Sequence, residues 1–116
     1  MKFLLTYAAD PKAPPPTPEK MMEIGKLTAE MVSSGVVIMT GGLVRPSKGT
    51  QLRCAAGKVS VTDGPFAETK ELIDGFALIN AGSKEEAIQL ATRFMSIAGD
   101  GSGEILQVFD PTEIPD

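Results

Sequence analysis

The stretch Asp63 to Glu71, DGPFAETKE, sets three carboxylates, a threonine hydroxyl and a lysine ammonium within nine residues. Such a mixture suits proton transfer. A nearby ammonium lowers the pKa of a carboxyl, burial raises it, and a carboxylate tuned between these influences serves as a general base. On this reading Asp63 or Glu68 is the base, Lys70 or Arg45 its electrostatic partner, and Tyr7 an acid. A second reading makes the same residues ligand contacts. Arg45 can grip a carboxylate through two parallel bonds, and Thr69 and Lys70 offer donors. Phe66 offers a ring, and Asp63 and Asp74 offer acceptors. A third reading is structural: Asp63-Gly64-Pro65 is a turn former anchored by Phe66. Tyr7 is then a satisfied core tyrosine, Arg45 a solvated loop arginine and Asp74 a surface acid.

Composition excludes several chemistries. The 116 residues hold no histidine and one cysteine. A Ser-His-Asp triad, a Cys-His pair, a histidine-held haem and the usual zinc sites are therefore out of reach, and neither a metal nor a cofactor is expected. Cys54 has no histidine to activate it and reads as a small packing residue. The methionines read as packing too. Gly41-Gly42 and Gly99 to Gly103 lack the spacing of a nucleotide loop and read as turns. A net charge of −4 gives no reason to expect nucleic acid. No apolar run is long enough to span a membrane, and the opening residues lack the apolar core of a signal peptide. The expectation is a cytoplasmic protein.

The elements that must position these side chains follow from periodicity. One domain is expected over residues 1–116, with a flexible tail over 110–116. Lys2 to Ala9 reads as a central strand. The loop DPKAPPPTP is stiffened by five prolines and leads into a helix: Thr17 caps it, Pro18 opens it and Gly35 ends it. Gly35 to Leu43 reads as a second strand that turns at Gly41-Gly42. Gln51 to Ala55 and Lys58 to Thr62 form a hairpin around Ala56-Gly57, with Val59 and Val61 on one side of the second arm. Leu72 to Asn80 is the next strand, with Gly75 marking a bulge or a close backbone approach. Ser83 and Glu86 make a capping box for a second helix, and Glu104 to Phe109 is the last strand.

Without the hairpin the order is βαββαβ, the ferredoxin-like arrangement of an α+β fold. Two helices cover one face of a four-stranded antiparallel sheet. Apolar side chains point to both faces, and a second copy is the economical cover for the other. A homodimer enclosing a small-molecule cleft is expected.

The run VTDGPFAETKELIDGFALI resembles the signature of the YCII-related family, in the subgroup marked by DGPF. The likeness extends to FLLTYAAD at the start, the KEEA–ATR helix and the terminal E-I-x-x-V strand. It implies a dimeric α+β barrel built from ferredoxin-like subunits. It carries over the signature residues Asp63, Gly64, Pro65, Phe66, Glu68, Thr69, Lys70 and Glu71. Related barrels act on small cyclic or aromatic molecules, so such a ligand is implied. A weak lyase- or isomerase-like enzyme and a regulatory or scaffold module are the alternatives. Some members sit beside extracytoplasmic-function sigma factors, which implies a sigma-factor link. YCII proteins proper are associated with a His-Asp pair in the cleft. This chain has no histidine, and the surroundings of Asp100 do not match that aspartate.

Overall fold

The computed structural model describes residues 1–44, 49–64 and 73–112. Arg45, Phe66, Glu68, Thr69 and Lys70, and residues 113–116 of the expected tail, lie outside the described residues. The elements are β1 (Lys2–Ala9), α1 (Pro18–Ser33), β2 (Val37–Gly42), β3 (Thr50–Ala55), β4 (Lys58–Asp63), β5 (Gly75–Asn80), α2 (Lys84–Ala98) and β6 (Gly101–Gln107).

Local chemistry sets the helix limits. Thr17 Oγ1 accepts from the Lys20 amide at 3.2 Å at the start of α1, and Gly35 follows its end at φ +81°. At α2, Ser83 Oγ accepts from the Glu86 amide at 3.2 Å. The Glu86 carboxylate reaches one residue further back than a capping box requires and accepts from Gly82 N at 2.7 Å.

β1, β2, β5 and β6 form one sheet in the order β2-β5-β1-β6, with every neighbouring pair antiparallel. This is the ferredoxin-like order, with β1 and β5 central. The barrel expected from the family resemblance is not this chain's architecture. β2 and β6 are edges that meet no further strand among the described residues, so the sheet is open. Four strands are about half the number that closes around a filled interior. Among the described residues, β3 and β4 do not extend the sheet but pair with each other.

The glycine pairs read as turns are also corrected. Gly41 and Gly42 lie within β2, opposite Phe76 and Gly75. Gly101 and Gly103 lie within β6, opposite Ala9 and Tyr7. The one irregularity of pairing falls in β2 between Val37 and Met39, not at Gly75. Hairpin chirality behaves as expected: Ala56 and Gly57 both take positive φ, +52° and +76°, which suits a two-residue turn between twisted strands.

The core lies between the helices and one end of the sheet. Phe3, Val37, Ile79, Ala81 and Ala87 are buried together, with Leu5, Met31, Leu90 and Ile105 packed against them. Among the described residues, no helix covers the opposite face of the sheet.

Candidate functional site

Side chains alternate across a strand, so the pairing registers sort the helix-covered face into rows. The first row is Val37, Ile79, Phe3 and Gln107. The second is Thr40, Ala77, Leu5 and Ile105. The third is Gly42, Gly75, Tyr7 and Gly103. Side-chain volume thus falls away along the sheet until Tyr7 stands alone among three glycines.

Two of the glycines in β6 are required by the backbone. A Cβ on Gly101 would sit 2.5 Å from the Ala8 carbonyl oxygen and 2.9 Å from the Tyr7 hydroxyl. A Cβ on Gly103 would fall on the Thr6 carbonyl oxygen. Gly75 differs: among the described residues its Cβ would meet the Gly41 carbonyl oxygen alone, at 3.4 Å. That position is open to a side chain, and its lack of one leaves space.

The space is a cavity of about 590 Å³ between the sheet and both helices. Its walls include Leu5, Ile24, Met31, Phe94 and Met95, and Tyr7 and Asp74 also line it. This volume falls within the usual range for small-molecule sites, roughly 300–1,000 Å³. Among the described residues, Asp74 is the charged side chain of the lining at the Tyr7 row; Glu104 borders the cavity from the Thr6 position of the register, whose side chains take the other face of the sheet.

Tyr7 is held by ring and hydroxyl together. Its ring meets Phe94 of α2 edge to face, with centroids 5.4 Å apart and planes at 84°, a favourable aromatic geometry. Its hydroxyl lies 3.2 Å from the carbonyl oxygens of both Gly99 and Asp100, so its single proton is donated to backbone. The lone pairs remain as acceptors. Burial pushes the phenol pKa above its ordinary 10.0, and the Asp74 and Asp100 carboxylates push it further in the same direction. Tyr7 is therefore a neutral acceptor in a negative field.

Asp74 is tied to the same strand. Its amide donates to the Tyr7 carbonyl oxygen at 2.7 Å, and its Oδ2 accepts from the Ala9 amide at 2.7 Å. The structure thus brings Tyr7 and Asp74 together at the glycine row. Asp63 stands apart, at the base of the hairpin, where its Oδ1 accepts from the Thr50 hydroxyl at 2.8 Å; it is not among the cavity-lining residues.

Sequence reasoning did not find Gly75, Gly103 and Phe94 as parts of one site. The available signal was the glycine content of two strands that flank β1. It becomes informative only when the registers are known.

The family profile described as the YCII-related domain matches residues 1–112. An uncharacterised protein of Rhizobium meliloti (strain 1021) is 35% identical over 99 residues, which are 82% of this chain and 79% of that relative. No helix among the described residues is long and apolar enough to cross a membrane.

Proposed function

The chain belongs to the YCII-related family, and within it we propose that this member binds a small cyclic or aromatic molecule between its sheet and its two helices. The observation that carries this reading is the cavity of about 590 Å³ between sheet and helices, bordered at one end by the glycine row with Tyr7 and Phe94. Apolar walls supply most of the affinity by taking the ring out of water. Polar groups set its orientation. The Tyr7 hydroxyl offers an acceptor to an N–H or O–H on the ligand, since its own proton is given to Gly99 and Asp100. The Asp74 carboxylate in the lining, whose charge reaches the Tyr7 phenol, favours a neutral or cationic ligand over a carboxylate.

Binding is favoured over turnover. A phenol pushed above 10.0 is a poorer acid near neutral pH, and Asp63 is not positioned beside it.

The test is titration with N-phenyl-1-naphthylamine, a neutral probe whose naphthalene and phenyl rings are joined through an N–H, followed by its fluorescence. Saturable one-site binding is expected, at least tenfold tighter than 1-naphthoate in competition. Gly75→Val, checked for a native circular dichroism spectrum, should weaken the probe at least tenfold. Binding that is non-saturable, or indifferent to the Gly75 change, would overturn the reading.

A second observation favours pairing of this chain with a copy of itself. On the sheet face that carries no helix, Met39, Leu78, Leu4 and Leu106 form one continuous row. Its ends, Met39 and Leu106, are 59% and 48% exposed. We propose that a second open sheet covers this row.

A further inference from the structure

The hydroxyls that line the cavity have one thing in common: their hydrogens are already given to backbone. Thr28 Oγ1 donates to the Ile24 carbonyl oxygen at 2.8 Å, and Thr92 Oγ1 to that of Ile88 at 2.7 Å. Thr40 Oγ1 donates to the Phe76 carbonyl oxygen at 2.9 Å. The Tyr7 hydroxyl is engaged by Gly99 and Asp100. A hydroxyl holds one hydrogen and two lone pairs, so all four meet a ligand as acceptors. Thr6 takes the other face of the sheet, in a row with Glu104. Asp74 adds a carboxylate, which accepts only. Its Oδ2 takes the Ala9 amide at 2.7 Å; among the described residues, Oδ1 has no donor.

We propose that the ligand is an aromatic molecule carrying a protonated primary or secondary amine, whose ammonium pairs with Asp74 at the Tyr7 end and whose ring lies among Leu5, Phe94 and Met95. The proposal rests on the cavity reading above and names the class of molecule that the cavity takes.

Donor counting selects the amine. An ammonium brings two or three N–H donors and no acceptor, the complement of a lining built of acceptors. A ketone, a lactone or a carboxylate brings acceptors alone and finds none of these hydroxyls ready to donate. Leaving one of its oxygens buried and unpaired costs about 1–3 kcal/mol. An alcohol brings a single donor and makes no use of the Asp74 charge.

Charge selects it again. The charges that reach the Tyr7 phenol are the carboxylates of Asp74 and Asp100. Lys20 approaches Gly99 from α1, its Nζ 3.9 Å from the place of a Cβ there, but it is not part of the cavity lining. An N–H bond from a cation to an ionised carboxylate is roughly twice as strong as one between neutral groups.

Calorimetry with 2-(1-naphthyl)ethylamine tests this directly, against two analogues with the same rings. 2-(1-Naphthyl)ethanol keeps a donor without the charge, and 1-naphthaleneacetate is an anion. At pH 7 the amine should bind wild type saturably at one site. It should bind at least about tenfold tighter than the alcohol and at least about 100-fold tighter than the anion. Asp74→Asn keeps a side-chain oxygen for the Ala9 amide and removes the charge. In this variant the amine's advantage over the anion should shrink at least about tenfold. That advantage is a ratio within one protein, so a general loosening of the site does not imitate the change. An amine no tighter than the alcohol, while N-phenyl-1-naphthylamine binds and responds to Gly75→Val, would overturn the amine and leave the cavity reading standing. An advantage that survives Asp74→Asn would overturn the pairing with Asp74, and the proposal with it. Failure of both the amine and N-phenyl-1-naphthylamine to saturate would overturn both readings.

Discussion

The two ends of the helix-covered face differ although one sheet and the same two helices build both. At the Phe3 end, Val37, Ile79 and Phe3 fill a row, and Phe3 and Ile79 are 2% and 1% exposed. At the Tyr7 end, three of the four row positions are glycine and border the cavity, which reaches back to Val37 and Ile79 of the packed row. Backbone geometry is shared, so the difference lies in side-chain volume. One end supplies stability; the other gives up packing and retains room. A small domain has stability of about 5–15 kcal/mol, and a cavity is tolerable only because the packed end is compact enough to carry it.

The largest expected effect breaks the packed end. Phe3→Ala should cost about 3–5 kcal/mol, through lost transfer energy and the void left behind. Phe94→Ala, at the cavity end, removes a half-buried ring and its edge-to-face contact with Tyr7; it should cost about 2 kcal/mol, about 1 from the aromatic pair and about 1 from the lost burial. Urea denaturation of both variants checks the contrast. Equal losses would mean that the cavity end is as tightly packed as the other.

Gly101→Ala comes next. Its Cβ would overlap the Ala8 carbonyl oxygen, which is backbone and cannot rotate away. Overpacking of this kind costs about 1–3 kcal/mol, and the first turns of β6 should loosen. Hydrogen exchange at Ala9 and Asp10 reads this directly, because Asp10 N donates to the Asp100 carbonyl oxygen at 3.0 Å. Native protection in the variant would show that β6 does not approach β1 so closely.

Gly101 and Gly103 also show where the sequence stops being legible. Helix limits could be read from Thr17, Pro18, Gly35 and Ser83, because caps act over three or four residues. The ferredoxin-like order was legible from the alternation of elements. The glycines were read as turns, since a glycine looks the same whether it serves positive φ or close approach. Only Gly35, Gly57 and Gly99 take positive φ; Gly101 and Gly103 are extended residues pressed against β1. The row that leaves the cavity is a property of three pairing registers. No window of local sequence contains Gly42, Gly75, Tyr7 and Gly103 together. The open sheet was hidden for a related reason: closure depends on what β2 and β6 meet, and the resemblance supplied an assembly in place of an edge.

Gly75→Ala sharpens the comparison from the other side. Its φ is not positive, and among the described residues the added methyl meets the Gly41 carbonyl oxygen alone, at 3.4 Å. Alanine in a strand interior is favoured over glycine by roughly 0.5–1 kcal/mol. The variant should therefore melt higher, while its affinity for N-phenyl-1-naphthylamine falls. Stability gained as binding is lost is the signature expected of a glycine kept for space. A variant that melts lower would place a required close approach at this position as well.

The finest effect to read is the pH dependence of the Tyr7 contribution. Tyr7→Phe loses hydroxyl donation to the Gly99 and Asp100 carbonyls, about 1 kcal/mol near neutral pH. Burial, then Asp74 and Asp100, raise the folded phenol pKa above 10.0. The folded state therefore holds this proton more tightly than the unfolded chain does. The associated stability is complete below about pH 10. It declines as the unfolded phenol ionises, and its loss is finished as pH passes the folded pKa. The gap in melting temperature between wild type and Tyr7→Phe should thus be constant from pH 7 to 9 and narrow above pH 10. Lysines also titrate there, but they are common to both proteins and cancel in the difference. In an Asp74→Asn background the narrowing should be smaller, because one source of the negative field is gone. A gap unchanged to pH 11 would mean that the hydroxyl lies in water, and the cavity would lose the polar group that orients its ligand.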